Sequence, residues 1–507
     1  MRRKNSIPKA LGLICSGANL ENTNIKPKAP NALFVLAALL SVFVAKSGLA
    51  ANDNEAHIIQ NGEDNIGEIS QTGNFNKIGT VENPISQTGR YNKLEITQTG
   101  FRNEVGADLN FLGSSGFNLY QFGDSATPLI FNEILIGQQS NDNAVNFIYQ
   151  EAVGDIPEGA NRLSVLQGSD STGAGNVVNF IIQQQNGGMP GQVARIEQAG
   201  ENNVIDRVEQ RSLTAADFEE NIVRVKVTGD SNGIGDLTGA ALASRAEFNS
   251  LVQSIGYDNL GANGNFMDLL IEGDSNRFGI YQGGRKNTVG LVSITSTGEN
   301  NQIGFRQDGL ENDITMSVLE GSDNNVGIGQ IGTNRASVDL IGIESLENSL
   351  LGLQEGTNDL FFTVKGSENT ARADQGYHSG MGGDNVASFR LEGDNNFFNL
   401  SQRGSASFKV VVKGDQTNTF APTLFTAVGN PLPMAAGEFL QEGMNNFADL
   451  GITGDRNAIG TWQKGSGNRI SSTTSGNLNQ AAFVQAGINN RAYLNQSGND
   501  NTAVFMQ

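Results

Sequence analysis

The sequence predicts an all-β fold: a β-solenoid of stacked strand–turn–strand coils, built from 11-residue half-repeats at about 22 residues per coil, with amyloid-like cross-β packing. Three observations carry this. Asn recurs at Asn446, Asn457, Asn468, Asn479, Asn490 and Asn501, a step of 11 each time. Gly454, Gly465, Gly476, Gly487 and Gly498 each stand eight residues past one of these Asn. Six residues past each Asn stand Ile452, Gln463, Thr474, Gln485, Gln496 and Gln507.

One unit shows why the period means strand. From Asn479 to Gln485, Asn479, Ala481, Phe483 and Gln485 share one face, and Gln480, Ala482 and Val484 the other. The next four residues form a turn, with Gly487 free to take positive φ. Each coil then buries its apolar face only against its neighbours.

The amides at the strand ends are expected to point inward. An unpartnered buried amide costs about 1–3 kcal/mol. In a stack, the same amide recurs about 4.8 Å along the axis, so each NH₂ donates to the C=O of the next coil. The residues expected to build this ladder and the assembly are Asn457, Gln463, Asn479, Gln485, Asn490, Gln496, Asn501 and Gln507. On the outward face, Trp462, Val484 and Met506 fall in one column with Ala482 and Val504 beside it, an apolar strip expected to mediate lateral packing.

These residues resemble a known family. Gln485-x-Gly487-x-x-Asn490-x-Ala492-x-x-x-Gln496 looks like the curlin repeat, the unit of bacterial curli fibres, and Gln496-x-Gly498-x-x-Asn501-x-Ala503-x-x-x-Gln507 matches again. The resemblance covers most of the chain from about residue 60, loosely in the middle and tightly at the end. It implies an extracellular amyloid fibre subunit on the surface of a Gram-negative-type bacterium. It also implies export through a dedicated outer-membrane pore and growth on a nucleator subunit. In many units Ile, Val or Leu replaces the motif's Ala.

Composition agrees with a thin repetitive core. The 507 residues include 64 Gly and 27 Phe, and only 37% are hydrophobic. The net charge of −20 argues against nucleic acid as a partner.

Residues 1–50 read as a secretory signal with a long n-region starting Met1-Arg2-Arg3-Lys4. Ala32 to Ala45 is the apolar h-region, short for a stable membrane span, and Gly48-Leu49-Ala50 places cleavage after Ala50. The single cysteine, Cys15, falls in that segment, so the mature chain carries no disulfide.

Residues 51–507 read as the repeat solenoid. Over 51–103 the repeats are regular: Gln60-x-Gly62-x-x-Asn65 leads 11 residues on to Gln71-x-Gly73-x-x-Asn76, with an insertion at Pro84 before the phase resumes at Gln87. Over 104–264 loop insertions interrupt them, at Gly106–Ser115, Asp155–Ala160 and Gly235–Glu247 among others. Over 265–445 two half-repeats alternate. One has an apolar residue at the sixth step (Asn265/Ile271, Asn312/Val318), the other Gln (Asn276/Gln282, Asn301/Gln307). This predicts a Gln ladder on one sheet and an aliphatic row on the other. Segments 376–384 and 419–438 read as further loops, and 446–507 is uninterrupted.

Signals for chemistry are weak. Gly229-Asp-Ser231-Asn-Gly233 has the form of a hydrolase elbow but falls in a repeat turn, and the only histidines are His57 and His378. Gly327-Ile-Gly329-Gln-Ile-Gly332 has the dinucleotide fingerprint with no helix pattern after it. No enzyme and no cofactor are expected. Acid beside turn glycines, at Asp274, Asp394 and Asp455, leaves a structural calcium open.

The expected function is that of a secreted structural protein: a curlin-like subunit of extracellular fibres for biofilm matrix, adhesion and surface colonisation, self-associating. The alternative is a non-polymerising cell-surface solenoid that binds glycan or a host surface through its loops.

Overall fold

A computed structural model describes residues 42–47 and most of 53–507. Outside the described residues lie 1–41, 48–52 and internal stretches, chiefly 107–118, 125–131, 154–160, 213–220, 242–249, 254–265, 342–348, 376–384 and 414–436. Cys15, His378, Asp394, the expected cleavage site and most of the expected loops therefore lie outside the described residues. One compact unit runs from Leu40 to Gln507.

Every described element is a β-strand, and the strands pair in parallel. Hydrophobic alternation of period two, punctuated by glycine turns, permits little else. The chain visits the sheets in turn and returns beside its own previous visit, which parallel pairing requires. The first sheet runs from Val42–Ser47 and Ile66–Asn74 through Asn92–Phe101 to Arg491–Ser497. The second runs from Ile58–Glu63 and Ile85–Arg90 to Thr502–Met506. A third, 6-stranded sheet of two-residue strands runs only from Glu55–Ala56 to Val204–Ile205.

The third sheet changes the coil length. Near the C-terminus, Gln463 pairs with Gln485, 22 residues on. Near the N-terminus, Gln60 pairs with Gln87 and Gln71 with Gln98, each 27 residues on. Strand Lys77–Ile78 and the turn before Ile85 take up the difference, so the insertion at Pro84 belongs to a longer coil. Val42–Ser47, which overlaps the apolar run Ala32 to Ala45, pairs in register with Ile66–Gln71.

The core is a set of in-register apolar columns. Leu94, Ile134, Leu163, Ala194, Val223 and Met267 succeed one another in the first sheet, each at most 1% exposed. Each large aliphatic side chain withdrawn from water contributes about 1.5–3 kcal/mol before chain entropy is subtracted.

The turns explain the glycine spacing. Gly465 has φ 117°, and a Cβ there would lie 1.9 Å from the Gly487 carbonyl oxygen one coil on. Neither the dihedral nor the approach admits a side chain. The residue just before each corner Asn also has positive φ, as at Asp64, Arg102, Asn202, Arg456 and Asp500. Ser231 is one of these (φ 58°), so the elbow-like motif is a repeat turn.

Candidate functional site

The polar residues of the strand ends form columns inside the stack. In the second sheet, every strand brings a Gln into register with the next. Gln60 donates to Gln87 (2.6 Å), Gln87 to Gln121 (2.8 Å) and Gln121 to Gln150 (3.3 Å). At the other end Gln441 donates to Gln463 (2.6 Å), Gln463 to Gln485 (2.9 Å) and Gln485 to Gln507 (3.0 Å). Between them the backbone register carries the column through Gln183, Gln210, Gln253, Gln282, Gln307 and Gln330 to Gln402 and Gln441. Gln210 donates to Gln183 in the reverse sense, which leaves Gln183 Nε2 and Gln210 Oε1 without partners.

In several coils the second proton of the amide closes the fold. Gln87 Nε2 also donates to the Ile66 carbonyl, Gln463 to that of Phe447 and Gln485 to that of Arg469. Each acceptor is the residue just past the Asn that opens the first-sheet strand. The amide thus ties one sheet to the corner of the other while extending its own column.

The corner Asn columns work differently. From Asn76 through Asn103, Asn143, Asn176, Asn203, Asn232, Asn276 and Asn301 to Asn324, each Oδ1 accepts the backbone N–H of the next. All nine are fully buried, at 0% exposure. Asn468 and Asn479 also donate from Nδ2 to the turn carbonyls of Gly487 and Gly498. A corner Asn therefore satisfies groups that a bare turn would leave open.

The anticipated ladder residues divide by position. Asn457, Gln463, Asn479, Gln485 and Gln496 are buried. Asn479 N–H donates to Asn457 Oδ1 (2.9 Å), and Asn501 Nδ2 to Asn479 Oδ1 (2.8 Å). Asn490 and Asn501 are half-buried and Gln507 is exposed, because only one neighbouring coil covers them. Trp462, Val484 and Met506 do stand in register, but Val484 is only 7% exposed and Ala482 fully buried. The apolar strip is thus exposed chiefly at its end, at Val504 and Met506.

Sequence reasoning missed Gln121, Gln150, Gln183, Gln210 and Gln253. Gln150, Gln183 and Gln210 stand seven rather than six residues past Asn143, Asn176 and Asn203, across a third-sheet strand, and Gln121 and Gln253 have no Asn six residues before them. A shorter signal marks them: an apolar residue two before Gln, as in Leu119-Tyr-Gln121, Ile148-Tyr-Gln150 and Ile181-Ile-Gln183. Leu119, Ile148 and Ile181 are each at most 1% exposed.

No protein-family model matches the chain, and no curated protein matches it.

The acidic turns have a role of their own. Asp274 Oδ1 accepts the Asp230 N–H (2.7 Å), and Asp230 Oδ1 accepts that of Glu201 (2.7 Å). Asn477 does the same for Asp455 (2.9 Å). These side chains serve as turn acceptors between coils. Among the described residues no group of three or more His, Cys, Asp or Glu is placed to hold a metal ion. Nor is any described helix long and apolar enough to cross a membrane. Gly327-Ile-Gly329 lies in and just before the strand Ile328–Ile331.

Proposed function

We propose that this chain is a secreted structural subunit: a β-solenoid of 11-residue half-repeats, modified by a third sheet near its start. It assembles end to end into extracellular cross-β fibres of the curlin type, for biofilm matrix, adhesion and surface colonisation. The observation that carries this reading is the second-sheet Gln column. Its first and last members, Gln60 and Gln507, sit on strands hydrogen-bonded on one side only among the described residues.

The spacings at the two ends match. Asn54 to Gln60 and Asn65 to Gln71 repeat the spacing of Asn501 to Gln507 and Asn490 to Gln496. The amide polarity matches too, since Gln485 donates toward Gln507 and Gln60 donates toward Gln87. A second copy stacked on Thr502–Met506 would bring its Gln60 above Gln507, extending the second-sheet column. Exposed apolar side chains at the ends, Ile59 and Ile66 at one and Tyr493, Val504 and Met506 at the other, would be covered by the same stacking. Export through an outer-membrane pore and growth on a nucleator belong to this reading.

The test is seeded growth followed by thioflavin fluorescence and electron microscopy. Wild type should form fibres. Val504→Pro removes one ladder donor and should slow elongation on preformed seeds while leaving circular dichroism nearly unchanged. Soluble particles without fibres at high concentration would overturn the reading.

A further inference from the structure

Most turns put a polar residue at positive φ just before a corner Asn, as at Asp64, Arg102, Asp142, Asn202 and Ser231. Tyr91, before Asn92, and Leu478, before Asn479, are bulkier but half-buried. Phe75 occupies the same position with φ 60° and is 50% exposed. A left-handed backbone at a bulky residue is strained by about 1–3 kcal/mol. Half of this ring faces water, so packing returns only part of that. Asn would relieve the strain. Beside it stands Phe101, 48% exposed, whose backbone pairs with Asn74.

The two rings share a shallow depression with Arg102, Asn141 and Asp142. Arg102 clasps Asp142 through both guanidinium arms, Nε to Oδ1 at 2.6 Å and Nη2 to Oδ2 at 2.8 Å. Asn141 Oδ1 accepts the Phe101 N–H at 2.9 Å, and Asp142 N–H donates to the Phe101 carbonyl at 2.8 Å. The patch is therefore fixed before any ligand arrives.

We propose that this turn edge is a binding site for a neutral polysaccharide. An aromatic face is negative and attracts the slightly positive C–H hydrogens along one side of a pyranose ring. A sugar hydroxyl both donates and accepts, and the Arg102–Asp142 pair offers both functions side by side. Five residues line the depression, far fewer than the roughly 20–30 residues a side of a stable protein interface. The net charge of −20 opposes an acidic polymer. The site lies on a turn, apart from the strand edges invoked for fibre growth, and does not depend on that growth.

The experiment is co-sedimentation of the full chain with insoluble cellulose and with chitin, alongside phosphatidylcholine vesicles. Wild type should sediment with at least one polysaccharide and not with vesicles. The double variant Phe75→Asn, Phe101→Ser should lose about tenfold in retention, the scale of losing ring stacking. Phe75→Asn alone should lower retention while its unfolding midpoint holds or rises, because Asn accepts positive φ. Arg102→Gln should also weaken retention. Wild type that sediments with neither polysaccharide, a double variant retained like wild type, or retention by vesicles alike would overturn the proposal. Fibre formation is scored separately, so its failure leaves this result readable.

Discussion

The second sheet carries one in-register column of Gln through its described strands, from Gln60 to Gln507 just past Thr502–Met506. The equivalent column of the first sheet changes character along its length. It begins as Gln71, Gln98, Gln138, Gln167 and Gln198, each donating to the next at 2.8–2.9 Å. It then continues in register as Val227, Ile271, Ile294, Leu319, Leu340 and Val364, through Ile452 to Thr474 and Gln496. The change coincides with the end of the third sheet. While that sheet lasts, each first-sheet Gln also donates to a carbonyl of its short strands, Glu55, Lys77, Glu104, Ala144 or Val177 in turn. After Val204–Ile205 those strands stop and Val227 replaces Gln. The coils with Ile271 and Ile294 bury Phe278 and Phe305 instead. The stack thus accepts an aliphatic column, and an amide is needed where a corner carbonyl has to be satisfied.

This comparison can be broken by exchanging the two chemistries. The largest effect is expected for Gln463→Glu. It replaces the amide that bonds both Gln485 and the Phe447 carbonyl with a buried carboxylate. Urea unfolding at neutral pH should show a loss of about 3 kcal/mol or more. Burial raises that carboxyl's pKa above its unfolded value. The penalty is therefore present above the folded pKa and fades as pH falls toward the unfolded pKa, so acid should partly rescue the variant.

The converse exchange, Ile452→Gln, puts an amide between Val412 and Thr474. It should cost about 1–3 kcal/mol in the same assay. If it were neutral, the aliphatic stretch would not be a distinct environment.

Changes that leave the buried amide bonds in place should matter less. Asp268 is held above the usual carboxylate pKa by burial, with Arg224 at 3.9 Å only partly opposing this. Stability should fall as pH rises from the unfolded toward the folded pKa of Asp268. Asp268→Asn should therefore be more stable than wild type at neutral pH by less than about 1 kcal/mol, and equal to it in acid. The smallest change is expected for Thr474→Gln, which stands directly before Gln496 in the column. It restores a Gln pair and should move the thermal midpoint by no more than about 0.5 kcal/mol in free energy.

The strand phase was legible wherever Asn, Gly and Gln recur without interruption, since period two and the glycine turn leave one way to fold. The alternation of aliphatic and Gln half-repeats also marked two unlike columns, down to the members Ile271 and Gln282. One position was misplaced: a register shift between Met316 and Leu319 puts Leu319, rather than Val318, in the aliphatic column. The third sheet was not legible, because two residues such as Lys77–Ile78 are too few to show a period. Nor was the middle of the Gln column, because a third-sheet strand moves Gln150, Gln183 and Gln210 one residue off the expected spacing from Asn143, Asn176 and Asn203. The aromatic turn at Phe75 was hidden, since only the structure shows its φ and its exposure.

The most direct test of the account is solid-state NMR on fibres grown from an equal mixture of ¹⁵N-labelled and ¹³C-labelled chains. The account predicts a through-space contact between Gln507 Nε2 of one copy and Gln60 Cδ of the next, matching the Gln485–Gln507 step within one copy. Fibres that lack this contact, with Gln60 and Gln507 each remote from the other copy, would contradict it.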